Sequence, residues 1–268
     1  MSGLVHIQID TLAYSNRLRH LPPAQKLCFA IAMLLLALVT HYPIQLAMLV
    51  WMSVWIVFHA GIPCRIYAAM MLGVMTFLVT GMPALAIEYT SSSADIHADA
   101  WGQISVWGGQ LYLSRQGTFQ AISASMRSLA STSALFFIIL TIPAIDLASL
   151  CQKIGCPPIL IELSLLVYRF IFLLADTAQK ITTAQISRGG YRTHRLRINS
   201  LNLLVRQLIQ RTASRYQQSI LSINARGFNG EFRFWQPVAY RYSWRYATES
   251  IFGCTILIIG EILYRSYV

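Results

Sequence analysis

Apolar residues collect in five runs, at about 24–41, 43–60, 66–88, 124–145 and 250–264, with polar links between them. A helix needs ~20 apolar residues to cross the ~30 Å hydrocarbon core of a bilayer. The third and fourth runs reach that length. The first two are shorter and share the tight link His41-Tyr42-Pro43, which predicts a helical hairpin. Within the polar stretch 89–118, QISVWGGQLYLS (103–114) alternates about a Gly-Gly turn and predicts a small β-hairpin, either a surface cap or a binding element.

Beyond TIPAID (141–146) the pattern changes. LASLCQKIG (147–155) is a short amphipathic piece ended by Gly155 and the pair Pro157-Pro158. From there to Arg188 nothing breaks a helix, so about thirty residues make a rod of roughly 45 Å. A further helix is predicted from about Ser200 to Arg226. Leu201, Val205, Leu208, Thr212, Tyr216, Ile220 and Ile223 share one of its faces, and Arg206, Gln210, Gln217 and Asn224 the other.

Composition sharpens this picture. Of 268 residues 56 % are hydrophobic and 12 % charged, against about 25 % charged in an ordinary soluble domain, so the chain reads as a membrane protein. The segment 153–245 carries fourteen Lys/Arg against Glu162, Asp176 and Glu231, and so holds all of the net charge of +11; elsewhere seven bases meet seven acids. By the positive-inside rule that segment is cytoplasmic. Arg17, Arg19 and Lys26 place the N-terminus inside, the 41–43 link faces out, Arg65 returns inside, and 89–118 lies outside. Four crossings then deliver the basic segment to the cytoplasm, and a fifth leaves the C-terminus outside. A sixth crossing through ILIELSLLVYRFIFLLA (159–175) would export Arg188–Arg245, so this run is read as lying at the inner membrane surface. Residues 1–25 are polar and mixed, without the apolar core of a signal peptide.

Candidate chemistry is sparse. Cys28, Cys64, Cys151, Cys156 and Cys254 are scattered and read as reduced thiols. His6, His20, His41, His59, His97 and His194 show no metal-ligand spacing, so neither a metal site nor a cofactor is expected. Glu162, Arg169, Asp176 and Lys180 fall on one helix face with alternating sign. They form a self-neutralising stripe against a neighbouring helix or, more sharply, an ion or proton path. The aromatic-basic tail FRFWQPVAYRYSWRY (232–246) suits the lipid headgroup region, not nucleic acid.

One signature occurs twice. The two long basic helices end Ser187-Arg188-Gly189 and Ala225-Arg226-Gly227. Arg at the last turn complements the negative end of a helix, and Gly takes the left-handed cap position. Two copies also fit a second role, in which paired cationic tips dock on two equivalent sites of a dimeric partner through bidentate Arg–carboxylate pairs.

These residues resemble the transmembrane T component of energy-coupling-factor (ECF) ABC transporters, most closely the cobalt/nickel Q-type subunit. AYSNRLRHLPPAQKL (13–27) is similar to its N-terminal signature, residues 113–174 to its central region, and the two Arg-Gly ends complete the match over nearly the whole chain. The resemblance implies an all-α membrane protein of about five transmembrane helices plus long amphipathic cytoplasmic coupling helices. The expected division is 1–146, 147–248 and 249–268, in the inner (plasma) membrane of a prokaryote. It implies a dimer of cytosolic ATP-binding subunits that takes Arg188 and Arg226, each with its neighbours Ser187 and Gly189 or Ala225 and Gly227. It also implies a separate substrate-binding membrane subunit that carries the metal ion. The chain itself would hydrolyse nothing, and it has no G-x-x-x-x-G-K-[ST] loop. Two departures stand out: Ser187 replaces a usual Ala, and His20-Leu21-Pro22-Pro23 replaces a commoner His-x-His-Pro pattern. Three alternatives remain at the level of sequence: a T component serving a vitamin, a membrane enzyme acting on lipid or isoprenoid, and a scaffold for anionic lipid.

Overall fold

The computed structural model describes residues 12–90, 100–106, 109–227, 240 and 242–267. They fall into two compact bodies, one built from residues 10–143 and 239–268, the other from 144–238.

The first body is a helical bundle. Helix α1 (Pro23–Val39) starts on a proline, whose fixed φ suits the first turn. It buries Lys26, Phe29, Ala30, Met33 and Ala37 along one face. Helix α2 (Tyr42–Val54) follows after the expected tight link and continues as a π-helical turn, Trp55–His59. Gln45 closes the hairpin: its Nε2 donates to the carbonyls of Ala37 (3.1 Å) and Thr40 (2.6 Å), which end α1. Helix α3 (Cys64–Ala86) is mostly exposed along its length, as a lipid-facing helix is.

Strand β1 (Ile87–Thr90) leaves α3, and β2 (Ala100–Val106) and β3 (Gly109–Ser114) form the expected hairpin, with Val106 paired to Gly109. β1 adds antiparallel to the other edge of β3, giving the order β1-β3-β2. That third strand escapes a sequence reading because it is four residues long and continuous with an apolar helix.

Helix α4 (Arg115–Thr141) is the centre of this body and packs on α1, α2 and α3. It begins at Ser114, whose Oγ accepts from the Gly117 amide at 3.1 Å. Its buried face is rich in small residues, among them Gly117, Ala121, Ser125, Ala130, Ser133 and Ala134. Small side chains let helices approach closely where lipid offers no hydrophobic drive. Helix α8 (Trp244–Tyr267) lies on α2, with Gly253 against the Trp51 ring, and pairs His59–Glu249 and His41–Glu261 hold its two ends.

The second body holds α5 (Ala144–Lys153), α6 (Pro158–Ser187) and α7 (His194–Ala225). Gly155 (φ 101°) ends α5, and the prolines at 157 and 158 start α6. α7 starts earlier than its apolar pattern predicts. His194–Asn199 are exposed and alternate polar residues with Leu196 and Ile198, a period that carries no helical signal, yet they are helical once the chain has turned at the glycine pair.

Among the described residues five helices are long and apolar enough to cross a membrane: 42–59, 64–86, 115–141, 158–187 and 244–266. The number is the expected one, but the membership differs. Pro23–Val39 is the shorter helix at 17 residues, about 26 Å, while α6 qualifies by length and composition. The chain is a multi-pass, all-α membrane protein with one small sheet.

Candidate functional site

The two Arg-Gly ends adopt one geometry. Arg188 (φ −90°, ψ 9°) follows the last residue of α6, and Gly189 turns left-handed at φ 73°. Arg226 (φ −92°, ψ 10°) follows α7, and Gly227 turns at φ 75°. At the first end the Gly189 amide donates to the Ile186 carbonyl and the Gly190 amide to the Gln185 carbonyl, both at 2.9 Å. That pair of bonds is a Schellman closure, which satisfies carbonyls that the helix leaves open. At the second end Gly227 donates to Asn224 at 3.1 Å.

Each arginine therefore stands where the chain bends away from the helix axis. Arg188, Arg226, Ser187, Ala225 and Gly227 are exposed, and Gly189 is half-buried. The Ser187 hydroxyl donates back to the Thr183 carbonyl at 3.1 Å, so at both ends the residue before the arginine presents little polar surface of its own. Neither guanidinium has an ion-pair partner among the described residues. No acid occurs between Asp176 and Glu231, a span with nine Lys/Arg. The helix carbonyl ends supply only partial negative charge, so both tips are available to an anionic partner.

The first tip is braced by residues that the sequence reading missed. Gln185 Nε2 donates to the Ser200 carbonyl (3.0 Å), Tyr191 OH donates to Gln185 Oε1 (3.0 Å), and Ser200 Oγ donates to the Gly190 carbonyl (2.9 Å). A Cβ on Gly190 would lie 2.5 Å from Ser200 Oγ and 3.1 Å from the Gln185 carbonyl. Its glycine is thus required by close approach, whereas Gly189 is required by its φ. The doubled glycine in Arg188-Gly189-Gly190 was the available signal.

α6 and α7 form an antiparallel hairpin. Residues 185 and 200 meet near the turn, and a groove lined by Ile159, Glu162 and Asp176 of α6 and Arg215, Ser219 and Ile223 of α7 lies toward the other end. The groove has a volume of about 660 Å³. In consequence the tips sit at opposite ends of one element. The 32 residues of α7, at 1.5 Å each, separate them by about 48 Å.

The charged stripe is not buried. Arg169, Asp176 and Lys180 are exposed, Glu162 is half-buried, and Asp176 pairs with Lys180 at 2.7 Å. Among the described residues no group of three His, Cys, Asp or Glu could hold a metal ion. His6, His97 and most of the aromatic-basic tail lie outside the described residues.

Residues 14–234 match the family model described as cobalt transport protein (CbiQ). A cobalt transport protein CbiQ from Rhodobacter capsulatus is 34 % identical over 227 residues, 84 % of this chain and 86 % of that one. Its counterpart from Salmonella typhimurium is 29 % identical over 228 residues, covering 84 % and 98 %. A putative fused cobalt transport protein CbiMQ from Methanocorpusculum labreanum is 26 % identical over 225 residues, 83 % of this chain and 36 % of the relative.

Proposed function

Since the chain belongs to the cobalt transport protein (CbiQ) family, we propose that it is the energy-coupling membrane subunit of an ECF-type importer for a transition-metal ion, cobalt first and nickel second. In this reading it performs no catalysis. A pair of cytosolic ATP-binding subunits hydrolyses ATP, and each subunit takes one arginine tip. Their closure displaces α6 and α7, and that displacement reorients a separate substrate-binding membrane subunit. The basic segment faces the cytoplasm, as does the N-terminus, and the remaining arginines of α7 lie against anionic lipid headgroups.

The observation that carries the proposal is the duplicated tip. Arg188 and Arg226 end two long helices with the same backbone dihedrals, both exposed and both without an ion-pair partner among the described residues. Plain helix capping explains each arginine singly. It does not explain two such caps at either end of one hairpin, with no acid between Asp176 and Glu231. The charge distribution supports the orientation. The fused relative supports a partner within a cobalt transport complex, because most of its length lies beyond the part that matches this chain.

Charge-assisted hydrogen bonds contribute ~1.5–3 kcal/mol each, so reversing both arginines should weaken the docking at least ~100-fold. Arg188→Glu combined with Arg226→Glu is therefore expected to abolish co-purification of the ATP-binding subunits from mild detergent, while the chain stays membrane-inserted. A normal complex in the double variant would refute the proposal.

A further inference from the structure

The segment 13–27 carries the N-terminal signature, yet the arginine tips give it no task and its histidine has no metal-ligand geometry. Its contacts point elsewhere. The second body leaves the first at Pro143–Ala144 and rejoins it ahead of α8. α4 ends at Thr141, so the carbonyls of Leu140 and Thr141 are among the last four, which the helix leaves without an amide of its own. The open carbonyls are met by the N-terminal segment. Asn16 Nδ2 lies 3.4 Å from the Leu140 carbonyl and 3.2 Å from that of Thr141, and it also donates to Ala13 at 2.7 Å. Lys26 Nζ donates to the Thr141 carbonyl at 3.0 Å.

This is a costly arrangement. Lys26 is 3 % exposed and Asn16 8 %, while Leu140 and Thr141 are fully buried. A buried ammonium is retained only where it faces strong acceptors, and the negative end of a helix is one. The same segment reaches the other joint. Gln25 Nε2 donates to the Ser243 carbonyl at 3.3 Å, one residue before α8 begins. It holds a third chain end too, since the Arg17 amide donates to the Ala60 carbonyl at 3.1 Å, just past α2.

We propose that Asn16, Gln25 and Lys26 form a collar on the two chain segments through which the coupling body is attached, so that a displacement of that body moves the membrane body instead of bending the joints. These are positioning residues; they touch neither an ATP-binding subunit nor a metal ion. The inference rests on the coupling role proposed above, and it assigns the N-terminal signature a mechanical task.

The test uses the complete complex in proteoliposomes, with ATP hydrolysis and uptake of radioactive cobalt ion measured side by side. Lys26→Met keeps the apolar stem and removes the donor; Asn16→Ala removes an amide without stranding a charge; Lys26→Arg keeps a cationic donor. Both loss variants are expected to assemble and hydrolyse ATP while ions moved per ATP fall about tenfold, the scale of a coupling free energy between linked sites. Lys26→Arg is expected to restore most of that ratio. If Lys26→Met fails to assemble, Asn16→Ala carries the test alone. An unchanged ratio in the assembled loss variants overturns the collar, and so does a parallel fall of hydrolysis and uptake, which would mean a structural role only. Should the arginine-tip variant release the ATP-binding subunits while the ratio here stays unchanged, the coupling role stands and only the collar falls.

Discussion

At the scale of residues, two adjacent glycines perform different tasks. Gly189 holds a left-handed φ of 73°, where an L side chain costs ~1–2 kcal/mol. Gly190 is held by contact, its missing Cβ replaced by Ser200 Oγ. Gly190→Ala is therefore expected to lower the melting temperature of the purified chain through ~1–3 kcal/mol of overpacking. Adding Ser200→Ala, which removes the hydroxyl in the way, should recover about 1 kcal/mol of that loss. Strict additivity of the two substitutions in thermal melts would contradict the packing described. The role of Gly189 was legible in the sequence, because Arg-Gly after a long helix demands a left-handed cap. The role of Gly190 was not, because Ser200 comes ten residues later and only the turned chain brings it near. The collar contacts were hidden for the same reason: Lys26 and Thr141 are 115 positions apart.

At the scale of elements, helix existence was easy to read and helix status was not. α4 and α7 are both long, but α4 buries ten of its residues and α7 none. Local opening follows burial. In the isolated chain the amides of α7 are expected to exchange with deuterium faster than those of α4. Binding of the ATP-binding subunits should then protect 185–192 and 222–227 selectively, measured by mass spectrometry. Uniform protection across α7, or none, would argue against tip docking. The sequence pattern could not rank the apolar helices α3 and α4 because a lipid-facing surface and a packed one are equally apolar; Phe77 of α3 is 78 % exposed and Phe137 of α4 is 1 % exposed. The ambiguity at 159–175 has the same root. α6 is apolar enough to cross a bilayer, and its charge context alone places it at the membrane surface in the proposed topology.

At the scale of the whole molecule, charge and hydropathy divide the work. Among the described residues, the body of 10–143 and 239–268 holds four of the five helices apolar enough to cross a membrane, and 144–238 holds α5, α6 and α7. What makes the latter a candidate transmission element is a long helical hairpin with an exposed Arg-Gly end at each extremity, about 48 Å apart along α7. The most direct measurement places a photo-reactive residue at Ser187 or at Ala225 in the assembled, membrane-embedded complex and identifies what each position captures on illumination. Capture of an ATP-binding subunit from both positions is the expected result. Capture of lipid alone, or of no protein at either tip, would contradict it.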